Sequence, residues 1–369
     1  MPLLLGPLAA TREQFDVLLG LVNAVADVPA KVTFEQVFDT RIAESVERKS
    51  SELVGRSGDR YRLQVASLKQ LLFEESDMGS NPEVLQSRAA IREKILGDDE
   101  VAAYHRDGFL VPRYRLSAPE LANLKAICGK LLDDHPDIHG VPITNPHMPY
   151  YAIQQLKTDS APWLQWATKP ELLDMTEQLV GPDIVMFQTA IFHKKAITGG
   201  RAPYHRDGKY YPIRPLAATN VWIAVTPSTI ENGCVRCIPG SHKTTDAGKH
   251  HWTDGTGEEL FRIELDQSEY NEADATPIVL APGQMVFFDV MTIHGGTPNT
   301  SGMARTGFSI RYYPASSYWE RVVAENHNET SSYNDFTNRP LILVRGTDRS
   351  GRNDMVTGHP APNGGHVIP

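Results

Sequence analysis

Cysteine is scarce in this chain. Three residues of 369, Cys128, Cys234 and Cys237, cannot staple a fold of this size. Such usage fits a reducing compartment and a fold that depends on its hydrophobic core. Cys234-Val235-Arg236-Cys237 has C-x-x-C spacing, but no second pair exists to complete a zinc site. Long apolar runs are also missing: nothing approaches the ~18 consecutive apolar residues of a membrane-spanning helix. Met1-Pro2-Leu3-Leu4-Leu5 is apolar but short and lacks a basic leader, so no signal peptide is read there and a cytoplasmic location is expected. Without a secretory leader, the sequons at Asn299-Thr300-Ser301 and Asn328-Glu329-Thr330 read as chance matches. Positive charge is in deficit, with 36 Lys and Arg against 45 Asp and Glu and a net charge of −9. That balance argues against a nucleic-acid binder, whose footprint would be a basic stripe.

A hydrophobic fraction of 41% supplies a sizeable core. Residues 1–100 read differently from the rest. Phe15, Leu18, Leu19, Leu21 and Val22 fall at helical spacing, as do Leu68, Leu71 and Leu72. These patterns predict an N-terminal helical extension that packs on the core or on a partner subunit, a candidate route to a homo-oligomer. Amphipathic helices are predicted from Ser117 to Leu132 and from Lys169 to Leu179. From Ile184 onward strands dominate: Ile184–Phe192, Asn220–Thr226, Ile278–Leu280, Met285–Val290 and Gly307–Tyr313. Many short strands after helices predict an α+β protein with a double-stranded β-helix (jelly-roll) core over 101–348, braced by helices on one sheet. The Gly-, Pro- and Asn-rich stretch 349–369 is expected to be a loosely held tail.

Within the strand-rich part, His205-Arg206-Asp207 puts an imidazole and a carboxylate on one strand face, because side chains alternate with period 2. A second imidazole, His294, ends the apolar run Met285–Ile293 just before a Gly/Pro/Asn turn. Two histidines and one carboxylate leave coordination positions open, the pattern of non-haem Fe(II) oxygenases. Eleven residues on (305 − 294) comes Arg305, on the strand face it shares with Gly307, Ser309, Arg311 and Tyr313, while Phe308, Ile310 and Tyr312 form the other. A guanidinium suits a carboxylate, which suggests a dicarboxylate co-substrate held at its far end.

These residues, with Tyr104-His105-Arg106-Asp107-Gly108-Phe109-Leu110-Val111, Glu231-Asn232-Gly233-Cys234 and Pro239-Gly240-Ser241-His242-Lys243, resemble the phytanoyl-CoA dioxygenase family of Fe(II)/2-oxoglutarate-dependent oxygenases over roughly residues 100–315. The resemblance implies iron on His205, Asp207 and His294, and the far carboxylate of 2-oxoglutarate on Arg305. O₂ would be the second co-substrate, with succinate and CO₂ as products and hydroxylation of a substrate C–H bond. Gln188 is expected to hydrogen-bond 2-oxoglutarate, and Trp222 to lie near it or in the core. Relatives often carry Ser two residues after the distal His. This chain has Gly296, so Thr297, Tyr210 or a water would have to replace it. Asp207 favours hydroxylation over halogenation. Desaturation or rearrangement stays open, and a non-oxidative jelly-roll metalloenzyme is the rival that Arg305 argues against.

Substrate is where the residues say least. Lys194, Lys195, Arg201, Arg206, Lys209 and Arg214 cluster around the metal motif of an acidic chain, which would focus a small anionic metabolite such as a carboxylate or phosphonate. The alternative is a solvated loop. Arg311 lies about 20 Å from Arg305 along a strand rising roughly 3.3 Å per residue. It is therefore a substrate anchor or a structural ion-pair partner. Lys194, Arg206, Lys209 and Arg311 are the substrate-binding candidates. Tyr150, Tyr151, Trp163 and Trp166 would cap the pocket or pack helices. His193 is expected to face away from the site, and His250-His251 to face solvent.

Overall fold

The computed structural model describes residues 94–138, 140–149, 154–253, 259–321 and 339–355. The predicted N-terminal helices, Tyr150 and Tyr151, and residues 356–369 of the tail lie outside these. Among the described residues there are four α-helices: α1 (Asp98–Asp107), α2 (Ala118–Asp134), α3 (Ala161–Ala167) and α4 (Pro170–Val180). Their ends follow ordinary chemistry. Asp98, Asp99 and Glu100 occupy the first turn of α1, where carboxylates meet the positive end of the helix dipole. Gly108 closes that helix at φ 83°, a conformation open to glycine. At α2 the Glu120 carboxylate accepts from the Ser117 amide at 2.7 Å.

Fifteen strands accompany them among the described residues, the first two lying between helices: β1 (Phe109–Leu110), β2 (Ile143–Thr144), β3 (Ile184–Lys194), β4 (Ala202–His205) and β5 (Ile213–Arg214). Next come β6 (Thr219–Ala224), β7 (Arg236–Cys237), β8 (His250–Trp252), β9 (Ile263–Leu265) and β10 (Thr276–Pro277). The last are β11 (Met285–Asp289), β12 (His294–Gly296), β13 (Arg305–Pro314), β14 (Tyr318–Trp319) and β15 (Ile342–Arg345). The larger sheet runs β1-β11-β6-β13-β3-β15 with β2 also on β3, and the smaller runs β10-β7-β12-β4; every pairing in them is antiparallel. Two such sheets lining one cavity make the predicted jelly roll.

Alternation along β13 sorts the layers. Phe308, Ile310 and Tyr312 join Leu124, Trp163, Trp166, Leu172 and Leu179 of the helices in one buried cluster, so the helices brace the outer face of the larger sheet. Arg305, Ser309 and Arg311 face the cavity instead. One irregularity matters for the site. Arg311 pairs with Gln188 but Tyr312 pairs with Met186, so Phe187 is an extra residue on β3. This bulge flips the parity of the strand: Val185 and Phe187 join an inner apolar cluster, while Gln188 follows them inward beside Arg311.

Two expectations change. Residues 278–280 are not a strand; β10 is Thr276–Pro277 and Leu280 makes a single bridge to Ser228. Residues 349–355 are not loosely held. Asn353 Oδ1 accepts from Tyr313 Oη at 2.7 Å and from the Trp319 amide at 3.1 Å, and Arg349 pairs with Asp183 at 2.7 Å. Polar contacts of Arg349 and Asn353, together with Met355 packed against an inner apolar cluster, hold this stretch, and composition does not reveal that.

Candidate active site

His205 is the last residue of β4 and His294 the first of β12, directly opposite each other across an antiparallel pair. Asp207 lies beyond the strand end, in a short 3-10 turn (Asp207–Lys209). Arg206 between them is extended at φ −115° and ψ 122°, so the period-2 alternation still carries both side chains inward. Each histidine is fixed by its own strand. His205 Nδ1 bonds the Pro203 carbonyl at 2.9 Å and His294 Nδ1 bonds the Thr292 carbonyl at 3.0 Å. A carbonyl can only accept, so both rings carry hydrogen on Nδ1 and present the Nε2 lone pair. Nε2 of His205 lies 3.3 Å from Asp207 Oδ1, and that of His294 4.0 Å from Oδ2. One ligand atom from each of the three lies within 4.8 Å of the others, a spacing that could hold a metal ion.

The electrostatics suit the same purpose. Burial alone would raise the Asp207 pKa, but the Arg311 guanidinium outweighs it and holds the carboxyl well below its usual range. Asn220 Nδ2 donates to the same carboxylate. Burial and the neighbouring His205 push His294 down to about 3, which keeps it neutral, the form that binds metal.

The three residues line a cavity of about 420 Å³ between the two sheets. At one end, Arg305 is 3% exposed with its guanidinium 5.1 Å above the Trp222 ring. A Cβ on Gly307 would lie 1.9 Å from Trp222, so glycine there gives the indole its room. Burial lowers the Arg305 pKa to about 10, which leaves it charged. Its Nε has no hydrogen-bond partner among the described residues. Arg311 lies far along β13, with Nε 3.7 Å from Asp207 Oδ2. Gln188 accepts from Arg339 Nη1 at 3.0 Å and from the Tyr211 hydroxyl at 3.4 Å. Phe261 packs on His205 at 4.6 Å between ring centroids, and Arg262 and Trp252 also line the cavity.

Wider comparison gives this geometry a lineage. The family model described as Phytanoyl-CoA dioxygenase (PhyH) matches residues 104–307, more than half of the chain, and the span includes His205, Asp207, His294 and Arg305. The chain belongs to the phytanoyl-CoA dioxygenase family. A phytanoyl-CoA dioxygenase domain-containing protein 1 homolog of Dictyostelium discoideum is 30% identical over 148 residues, covering 40% of this chain and 51% of that one. The chain spans about half the length of the curated relatives it matches first. Among solved structures, the non-haem monooxygenase ThoJ superimposes with TM-score 0.51 at 24% identity, over 69% of this chain and 86% of its own. EctD from Sphingopyxis alaskensis, with 2-oxoglutarate and 5-hydroxyectoine, gives TM-score 0.50 at 20% identity, over 62% and 80%. At such identities the structural likeness speaks for the fold.

Against the family pattern, Gly296 is explained by space: a Cβ there would lie 2.8 Å from the Cys234 carbonyl and 3.5 Å from Lys194 Nζ. The Thr297 side chain is not in the cavity; its carbonyl accepts from Lys194 Nζ at 2.5 Å. Tyr210 lines the cavity on the His205 side, its hydroxyl buried without a partner among the described residues. Of the substrate-binding candidates, Lys194 and Arg311 line the cavity and the others do not. Arg206 Nη1 is spent on the Ser241 and Met291 carbonyls at 2.7 and 3.1 Å, and Lys209 is exposed. Arg201 pairs with Glu264 at 2.6 Å. Charge density in sequence did not say which cations turn inward. His250 is half-buried, accepting from the Arg206 amide at 3.3 Å, whereas His251 is exposed. His193 faces away, onto Thr306. Trp163 and Trp166 pack in the helix layer, not in the cavity. Sequence reading missed Asn220 as a partner of Asp207 and Arg262 as a cavity cation. The alternating face of β6 could have exposed the first; the second sits in a polar loop with no distinguishing pattern.

Proposed function

We propose that this protein is an Fe(II)/2-oxoglutarate-dependent dioxygenase that hydroxylates a C–H bond of a small polar anionic metabolite. The observation that carries the reading is the convergence of two oriented Nε2 atoms and one carboxylate on a cavity whose far wall holds a buried guanidinium with no ion-pair partner among the described residues. His205, Asp207 and His294 would hold the metal and Arg305 the far carboxylate of 2-oxoglutarate. With both bound, iron and 2-oxoglutarate supply the oxidising power from O₂ and release succinate and CO₂. Trp222 keeps Arg305 in place. Gln188, oriented by Arg339 and Tyr211, offers polar atoms beside the metal residues. The apolar wall of Phe192, Phe261 and Phe288 keeps water from the reacting centre. The family name and the 2-oxoglutarate held by EctD support this assignment.

The charge of the cavity supports an anionic substrate. Asp207 is the one acid among the described lining residues, against Lys194, Arg262, Arg305 and Arg311. A divalent cation and a dianionic co-substrate cancel each other, so positive charge is left over. Arg311 is the anchor we favour: it is 7% exposed, and its Nε and Nη1 lack hydrogen-bond partners among the described residues. The test is succinate release with Fe(II), 2-oxoglutarate and O₂ across small carboxylates, phosphonates, amino acids and acyl-CoA esters, with metal content measured alongside. Anionic compounds should stimulate succinate release, and Arg311→Gln should raise KM for the active compound more than it lowers kcat. Stimulation by neutral apolar compounds alone would overturn the substrate class. Unchanged iron content in His205→Ala, Asp207→Ala and His294→Ala would overturn the metal assignment.

A further inference from the structure

Lys194 and Arg305 are directly opposite each other on neighbouring strands β3 and β13, and both side chains enter the same cavity wall. Like charges facing across a strand pair destabilise a sheet. Here both groups are also buried, Lys194 at 0% and Arg305 at 3% exposed. No acidic side chain forms an ion pair with either one among the described residues. Lys194 Nζ instead meets two backbone carbonyls, Thr297 at 2.5 Å and Gly296 at 3.5 Å. A neutral amine has two N–H donors, which these carbonyls satisfy; the third donor of an ammonium would have no acceptor among the described residues.

The groups that face Lys194 can be named. Arg305 approaches from β13 and Cys234 from the loop before β7, while β12 and the turn after it contribute only the carbonyls of Gly296 and Thr297. A Cβ at position 296 would lie 2.8 Å from the Cys234 carbonyl and 3.5 Å from Lys194 Nζ.

We infer that Lys194 and Arg305 form a two-cation seat for the far carboxylate of 2-oxoglutarate, and that Lys194 takes up a proton as the dicarboxylate binds. The inference rests on the co-substrate reading above and goes beyond it by assigning Lys194 to the co-substrate rather than to the substrate. In the free protein, burial and the nearby Arg305 push the Lys194 pKa down to about 6, so near pH 7.5 the amine is mostly neutral. A carboxylate between the two cations reverses that preference and supplies the acceptor for the third N–H. The balance is simple: one proton leaves the buffer and joins Nζ, and no other bond changes.

Titration calorimetry of 2-oxoglutarate into anaerobic Fe(II)-loaded protein at pH 7.5, in buffers of different ionisation enthalpy, reads that proton directly. The expected result is uptake close to one proton per 2-oxoglutarate bound, and little uptake with 2-oxobutyrate, which lacks the far carboxylate. Lys194→Met should bind 2-oxoglutarate about tenfold to a hundredfold more weakly and without proton uptake. Lys194→Arg should recover much of the affinity, still without uptake. Binding by the parent protein with no proton uptake would overturn the inference, whether or not the variants fold. So would unchanged affinity in a folded Lys194→Met. If the parent protein bound no 2-oxoglutarate at all, the co-substrate reading itself would fall, and this inference with it.

Discussion

Arg305 illustrates how one residue can be stable as a scaffold part yet costly without its ligand. The ring of Trp222 compensates part of the desolvation, but Nε stays without a hydrogen-bond partner among the described residues. Truncation should therefore cost little in folding and much in binding. Arg305→Ala is expected to keep its melting temperature within a few degrees and to weaken 2-oxoglutarate roughly a hundredfold, since charge-assisted hydrogen bonds contribute about 1.5–3 kcal/mol each. The weak visible band of the anaerobic Fe(II)–2-oxoglutarate complex follows that titration; equal affinity in parent and variant would put the clamp elsewhere. His147 makes the opposite case. It is fully buried, its Nδ1 is 2.6 Å from Thr189 Oγ1, and burial, assisted by Arg339, pushes its pKa down to about 3. The unfolded chain protonates this histidine near pH 6.5 while the folded one does not, so its contribution is full above 6.5 and is lost as pH falls toward 3. Between pH 7 and pH 5 that amounts to about 2 kcal/mol. His147→Gln should lose correspondingly less over the same interval in urea titrations, and an identical loss in parent and variant would contradict the burial argument.

Elements turn these residues toward one another, and β13 does most of it. Its strict alternation puts Arg305, Gly307, Ser309 and Arg311 on the cavity side, and the neighbouring indole leaves no room for a Cβ at position 307. Gly307→Ala should push Trp222 from beneath Arg305, costing about 1–3 kcal/mol of stability as overpacking does. It should also weaken 2-oxoglutarate binding, and a shift in tryptophan fluorescence should accompany both. A variant with parental stability and affinity would show that the strand relaxes freely. The faces of β13 were legible in sequence because regular alternation needs no tertiary information, and so was the His-x-Asp pair, whose intervening residue stays extended. The bulge at Phe187 was not legible: one extra residue on β3 leaves no mark in composition, yet it decides that Gln188 sits beside Arg311. Lys194 and Arg206 were equally basic in sequence. Only strand pairing sends the first into the cavity and the second onto the Ser241 and Met291 carbonyls.

At the scale of the described molecule, the last segment returns to the sheet that carries the site. β15 pairs with β3, and Arg339, 0% exposed, reaches Gln188 with one guanidinium nitrogen and lies 5.7 Å from the Trp319 ring. Asn353 ties that return down, since one carboxamide serves Tyr313, the Trp319 amide, the Ser317 carbonyl at 2.9 Å and Asp348 at 2.9 Å. Removing it strands several partly buried polar groups at once, and the cost of such loss is typically about 1–3 kcal/mol. Asn353→Ala should therefore lower the melting temperature by roughly 2–12 °C, at about 2–4 °C per kcal/mol for a domain of this size. The effect should reach the site through Trp319 and Arg339 rather than through the metal residues, so iron content stays at the parental level while Gln188 loses its orientation. KM for 2-oxoglutarate should rise at temperatures where the variant is still folded. Lower thermal stability with unaltered 2-oxoglutarate affinity would mean that the C-terminal segment braces the sheet without steering the cavity.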